Sequence, residues 1–260
     1  MKGKKGLIMG VANERSIAWG ISQKLTEAGA ELAFTYPADA LKKRVIPLAE
    51  KLNSKVTFSC DVEKKEDVTK LFEDIKSQWG QIDFVVHAVA FSDKSELSGE
   101  YLDTTRENFL RSMLISCFSF TEVSKEAAKI MKLQKRGGQI LFNISKQTIN
   151  PGSKMGAYGL PKATTMFLMR QLALELGNEK IRVNGINADR IRSGLLTDNF
   201  IKERSMSRGI SEQVYMEGNL LQQEVEAKHV GLGFTALAQM KRTTGHILTV
   251  DGGNTAAELR

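Results

Sequence analysis

Long apolar runs are missing from this 260-residue chain. Nothing approaches the ~20 residues that span a bilayer, so no membrane partner is expected. The start, "MKGKKGLIMG", has basic residues but neither the long apolar stretch nor the small-residue cleavage site of a secretory signal. Cysteine is scarce: Cys60 and Cys117 form no CxxC or metal-ligand spacing. They read as buried free thiols in a reducing compartment, and a cytoplasmic protein is expected. Three histidines, His87, His229 and His246, lie too far apart in sequence to suggest zinc, so no metal is expected. The net charge of +7 comes with 30 acidic residues and no nucleic-acid signature. Nucleic acid is therefore not an expected partner. A solvated basic surface accounts for the excess, and attraction to an acidic or phosphate-bearing partner is the sharper alternative.

No Pro/Gly/Ser linker or composition break divides the chain, so one domain over 1–260 is expected. What is present is alternation. "KKGLIMGVA", "AELAFTY", "KVTFSCDV", "IDFVVHAVA", "GGQILFNIS", "IRVNGIN" and "TTGHILTVDGG" read as seven strands, most apolar on both faces. Helical segments separate them. "SIAWGISQKLTEAG" ends at a capping Gly29, "ALKKRVIPLAEKLN" is interrupted by Pro47, and 104–131 reads as one long helix. The pattern predicts an α/β class: a Rossmann-like doubly wound sheet, mainly parallel, with helices on both faces. Residues 194–222 form a polar helical insertion before the last strand, expected to be a substrate flap.

The usual GxGxxG dinucleotide fingerprint is absent. In its place stands "GVANERSIAWG": Gly10 for a tight turn, Ser16 as helix cap and phosphate ligand, and Gly20 for close helix–strand packing. This string, with "HAVAFSDKSELSG" and "YLDTTRENFLRSM", resembles the NADH-dependent enoyl-acyl-carrier-protein reductases. They are a divergent branch of the short-chain dehydrogenase/reductase superfamily, and the resemblance covers about residues 3–133. It implies that Gly10, Ser16 and Ile17 line the pyrophosphate, that Asp61 and Val62 meet the adenine, and that Val89 lies near the ribose. The second strand ends in "FTYPADALKKR", where Asp39 falls late for a ribose contact. NAD(H) is favoured by the resemblance, and NADP(H) stays open.

The segment "NISKQTINPGSKMGAYGLPK" carries Ser145, Tyr158 and Lys162. Tyr158 and Lys162, four apart, share a helix face, and Pro161 places both in that helix's first turn. Hydride transfer to a carbonyl leaves an alkoxide that needs a proton. A phenol ionises near pH 10, and a neighbouring ammonium is expected to lower that value. Ser145 would bond the substrate oxygen.

Enoyl reductases of the branch named above carry Tyr-x6-Lys and a second upstream Tyr, both missing here. From about Gly137 the chain instead resembles the dehydrogenase domain of fused class-II-aldolase/short-chain dehydrogenase proteins. The strings that carry this are "YGLPKAT", "IRVNGINADRIRSGLLTD" and "RTTGHILTVDGGN". A composite joined near Lys132–Gly138, natural or engineered, follows as an expectation. The Asn that the superfamily's central helix supplies to a proton relay is replaced by Ser116, alternatively a helix residue bonding its own backbone. The superfamily resemblance also implies that Ile191 contacts the nicotinamide carboxamide through its backbone and that Lys162 binds cofactor. Arg190 and Arg192 read equally well as surface charges.

The leading expectation is an NAD(P)-dependent oxidoreductase acting on a small carbonyl or alcohol through Ser145, Tyr158 and Lys162. The alternatives are enoyl-thioester reduction and a cofactor-binding scaffold with little activity. A homotetramer or homodimer through the helices near 104–131 and 157–177 is expected by the same resemblance, with an acyl-carrier protein an open partner.

Overall fold

A computed structural model describes residues 1–97, 100–145, 148 and 155–258. Seven parallel strands form one sheet in the order β3-β2-β1-β4-β5-β6-β7. They are β1 (Lys5–Met9), β2 (Glu31–Tyr36), β3 (Val56–Ser59), β4 (Phe84–His87), β5 (Gly138–Ser145), β6 (Ile181–Ala188) and β7 (Ile247–Val250). The order reverses at β1, which pairs Leu7 with Ala33 of β2 on one side and with Val85 of β4 on the other. In doubly wound sheets a crevice opens at that reversal, outside the carboxyl ends of the strands.

The side chains of β1 alternate between two cores. Leu7 and Met9 pack under α3 (Lys65–Trp79), α5 (Ser119–Leu133) and α6 (Gly156–Leu176), against Leu71, Phe120 and Met169. Ile8 faces α1 (Ile17–Glu27), α2 (Asp39–Lys51) and α9 (Ala227–Gln239), against Ile21, Leu48 and Phe234. Strands buried on both faces have no polar face to show, which is why their sequences read as unbroken apolar runs.

Gly20 packs against a helix rather than a strand. A Cβ there would sit 2.5 Å from the carbonyl of Ala227 in α9, and one at Gly231 would sit 2.4 Å from the Gly20 carbonyl oxygen. The helices α1 and α9 thus touch backbone to backbone.

Three helical expectations need correction. Pro47 lies inside α2 without ending it. The carbonyl it orphans is that of exposed Lys43, which water can reach. Pro161 falls in the second turn of α6, because that helix starts at Gly156. The long helix is α4 (Arg106–Met113), a π turn (Leu114–Phe118) and α5. Tertiary bonds to Ser116, described below, accompany the widened turn.

Within 194–222 lie α7 (Asp198–Met206) and α8 (Glu212–Met216). Ile201, Tyr215 and Met216 form a small core of their own. The short α10 (Asn254–Glu258) follows β7. Among the described residues no helix is long and apolar enough to cross a membrane.

Candidate active site at the carboxyl ends of the strands

Gly10 follows β1 with φ +104°, in the region that favours glycine. A Cβ there would lie 2.2 Å from the Ala88 carbonyl oxygen, so the turn lies flat against the chain leaving β4. Ser16 does not cap α1 with its side chain. Its Oγ instead accepts from the N–H groups of Ala12 and Asn13, both at 3.0 Å, and so tightens the turn before the helix. Ile17 opens α1 and packs against the α1/α2 core.

A cavity of ≈ 210 Å³ opens beside this turn, lined by Gly10, Thr35, Leu41, Cys60, Val62 and Val89 among others. Three residues predicted from sequence, Gly10, Val62 and Val89, therefore share one wall. Asp61 is absent from the lining; its carboxylate accepts from the Glu63 N–H at 3.1 Å and lies 3.8 Å from Lys64 Nζ. Ile191, 4% exposed, sends its side chain into the core and leaves its backbone for any ligand contact. Burial and nearby Asp67 and Asp61 push the Cys60 thiol up to about 12, so it stays a neutral wall residue.

Lys162 is buried. Its Nζ donates to the carbonyl oxygens of Val89 (3.1 Å) and Asn143 (3.2 Å), and so ties α6 to the ends of β4 and β5. Burial brings its pKa down to about 8. Tyr158, one turn earlier, is partly buried. Burial raises its phenol above the ordinary value, and the nearby Ser145 hydroxyl lowers it in part. The expected lowering by the Lys162 ammonium does not occur here: burial sets the direction, and the phenol stays protonated at neutral pH. Ser145 Oγ is buried and has no partner other than the neighbouring Tyr158 hydroxyl, and Asn143 Oδ1 and Ser92 Oγ are without partners. Orphaned polar atoms at a strand end are what a ligand or water would satisfy. The linking residues 146–147 and 149–154 lie outside the described residues.

Behind this site His87 is fully enclosed, its Nε2 2.8 Å from Ser119 Oγ. Burial, then the Lys162 charge, lowers its pKa to about 3. Ser116 does not bond its own helix through its hydroxyl. Oγ accepts from the Phe91 N–H at 2.8 Å and donates to the Phe91 carbonyl at 3.1 Å.

Arg190 and Arg192 are more than surface charges. Arg190 donates to the Gly218 carbonyl at 2.8 Å and stacks on Tyr215. Arg192 pairs with Glu224 (2.9 Å) and Asp198 (3.1 Å), and Asp198 also takes Arg15 (3.0 Å) from the turn before α1. Both therefore pin the 194–222 insertion. Among the described residues no group of three His, Cys, Asp or Glu side chains could hold a metal.

Sequence reasoning missed Asn143, Thr35, Leu41 and Cys60. Cys60 was legible in principle as the neighbour of Asp61; the Asn143 carbonyl was not, since every residue offers one.

Known proteins bear on the site as follows. The family model described as "Enoyl-(Acyl carrier protein) reductase" matches residues 10–255. The chain is 50% identical over 193 residues to enoyl-[acyl-carrier-protein] reductase [NADH] 2 of Rhizobium meliloti, covering 74% of this chain and 71% of that one. It is 40% identical over 257 residues to the NADH-dependent reductase FabI of Rickettsia bellii, covering 97% and 94%. The crystal structure of the enoyl-acyl-carrier-protein reductase of Anaplasma phagocytophilum with NAD superposes with a TM-score of 0.88 at 39% identity, over 98% of this chain and 93% of that one. Relatives of one kind thus run past Lys132–Gly138 without a break. The composite, and an aldolase-fusion origin for 137–260, find no support.

Proposed function

This chain belongs to the enoyl-(acyl carrier protein) reductase family of the short-chain dehydrogenase/reductases, and from that premise we propose that it reduces the C=C bond of an enoyl thioester with NADH. The observation that carries the reading is a protonated Tyr158 beside the Ser145 hydroxyl, one helical turn from a Lys162 whose Nζ is bonded to Val89, a wall residue of the cavity at Gly10. The flat turn at Gly10 leaves room for a pyrophosphate close to the backbone, so the residues fit a dinucleotide. Gly10, Ser16 and Ile17 would hold the pyrophosphate, Asp61 and Val62 the adenine, Val89 and Lys162 the ribose, and the Ile191 backbone the carboxamide.

A nicotinamide dinucleotide held there would supply the hydride that the β-carbon of the enoyl group takes up. Negative charge then develops on the thioester carbonyl oxygen. The Tyr158 hydroxyl donates to that oxygen, with Ser145 sharing the bond, while the Lys162 ammonium adds positive potential in a dry site. A proton taken from solvent at the α-carbon completes the reduction, with hydride and proton together saturating the C=C bond and Tyr158 keeping its own proton. The 194–222 insertion, pinned by Arg190 and Arg192, serves as the flap that covers the acyl chain. The substrate would arrive on an acyl-carrier protein.

A second reading keeps the same three residues for a carbonyl or alcohol; the Tyr-x3-Lys spacing favours it. NADH and NADPH consumption with crotonyl-CoA, set against a panel of small aldehydes and ketones, separates the two. Enoyl turnover supports the family reaction, and carbonyl turnover lost in Tyr158→Phe supports the second. Tight NADH binding with no turnover would leave only a cofactor-binding scaffold. NADPH turnover above that with NADH would reverse the cofactor preference. Leu110, Phe118, Leu133, Phe167 and Leu174 stand exposed along α4–α5 and α6, an apolar surface that suits a homotetramer. Light scattering tests it, and a monomer refutes it.

A further inference from the structure

We propose that Ser116 is a positioning residue, holding from the π turn both ends of the bond between Lys162 and the Val89 carbonyl. The inference rests on the reading above only in giving Lys162 a task at the site. The segment leaving β4 carries Val89, whose carbonyl receives Lys162 Nζ at 3.1 Å, and Phe91 two residues on. One hydroxyl, Ser116 Oγ, takes the Phe91 N–H at 2.8 Å and gives its own proton to the Phe91 carbonyl at 3.1 Å. A hydroxyl does both at a single atom, which neither an ammonium nor a carboxylate can do.

The same residue reaches the other end of the Lys162 bond. The Ser116 carbonyl accepts from Thr165 Oγ1 at 3.2 Å, and Thr165 stands one turn after Lys162 on α6. Thr165 Oγ1 also lies 2.8 Å from the Pro161 carbonyl, the residue before Lys162. Two further contacts brace the segment. Arg111 stacks on the Phe91 ring at 4.4 Å while paired with Glu63 through two 2.8 Å bonds. Asp93 N–H donates to Asn108 Oδ1 at 2.9 Å. Of these three braces, Ser116 is the one with hydrogen bonds to both the segment and α6. The wide turn at 114–118 accompanies that double reach; π turns of this kind concentrate where a helix serves a site.

A buried ammonium depends on its acceptors, since removing one favours the neutral amine. Releasing Phe91 lets the Val89 carbonyl drift from Lys162. The experiment is an NMR titration of the Lys162 ε-carbon in the cofactor-free protein, assigned with Lys162→Arg, paired with NADH binding by calorimetry. Ser116→Ala is expected to move the Lys162 midpoint down by about one pH unit and weaken NADH about tenfold. Ser116→Thr, which keeps the hydroxyl, should restore both toward wild type. Val123→Ala, a cavity in the same long helix away from the segment, should lower the melting temperature and leave both readouts in place. An unmoved or raised midpoint in Ser116→Ala, or an equal change in Val123→Ala, overturns the proposal. Absence of enoyl and carbonyl turnover in the wild type would count against the functional reading alone, because neither readout uses turnover.

Discussion

Two buried nitrogen bases stand side by side behind the site, and each resists its proton. His87 in the folded chain protonates near 3, well below the ordinary 6.5, because burial and then the Lys162 charge oppose it. The unfolded chain takes that proton at about 6.5, so between these values the unfolded state holds more protons. Stability therefore rises with pH across this window and is lost as pH falls through it. Denaturant midpoints measured from pH 6.5 to 4 are expected to fall less steeply in His87→Gln than in wild type, by up to about 1.4 kcal/mol per pH unit. Lys162 has the same sign at higher pH. Its folded value of about 8 lies below the ordinary 10.5, so its burial costs stability below 8 and that cost lifts between 8 and 10.5. Its charge, in contrast, is needed below 8. Turnover should decline above about pH 8, and whatever turnover survives in Lys162→Arg should lack that decline. Tyr158→Phe should lower kcat by ~10²–10³-fold, the usual cost of losing one donor to a developing oxyanion, while NADH binding by calorimetry persists.

At the scale of elements, glycine positions separate cleanly by what surrounds them. A methyl at Gly20 would meet the α9 backbone at 2.5 Å, which cannot step aside as a side chain would. Gly20→Ala should cost ~1–3 kcal/mol in chemical unfolding, the range for overpacking. Gly177 ends α6 in a right-handed helical conformation with nothing near its would-be Cβ. Gly177→Ala should instead stabilise by ~0.4–1 kcal/mol. The seven strands were legible because burial on both faces leaves a continuous apolar run, as in "FVVH" and "ILFNIS". The break at Leu114–Phe118 was not, because "LISCF" is compatible with an ordinary helix and the bonds that reshape it come from Phe91 and Thr165. The site shows the same division. Ser145, Tyr158 and Lys162 stand out in the sequence by their spacing together with their placement at a strand end and on a helix. The state of the Tyr158 phenol does not, since sequence gives the neighbouring charge but not the depth of burial that raises it. The sequence suggests Ser16 as a helix cap, yet its hydroxyl faces back to Ala12 and Asn13 rather than forward into the helix.

At the scale of the whole molecule the basic excess has an address. A cleft of ≈ 570 Å³ lies at the amino ends of β4, β5 and β6, opposite the candidate site. Lys4, Arg136, Lys180, Arg182, Lys241 and Arg242 line it against a single carboxylate, Asp83. That carboxylate is shared by Lys4 (2.9 Å) and Arg136 (3.0 Å). Like charges in a concave cleft repel, and multivalent anions relieve the repulsion. Sulfate is expected to raise the melting temperature more than chloride at equal ionic strength, and Lys241→Glu should shrink the difference.

The backbone contact between α1 and α9 joins the beginning of the chain to nearly its end. During synthesis at 5–20 residues per second, Gly20 waits roughly 10–40 s for Gly231 to be made. Until then α1 has no partner for its glycine face, and the Gly10–Ser16 turn rests on a helix packed on one side only. The turn from Gly10 to Ser16 is thus translated well before the helix that completes its floor.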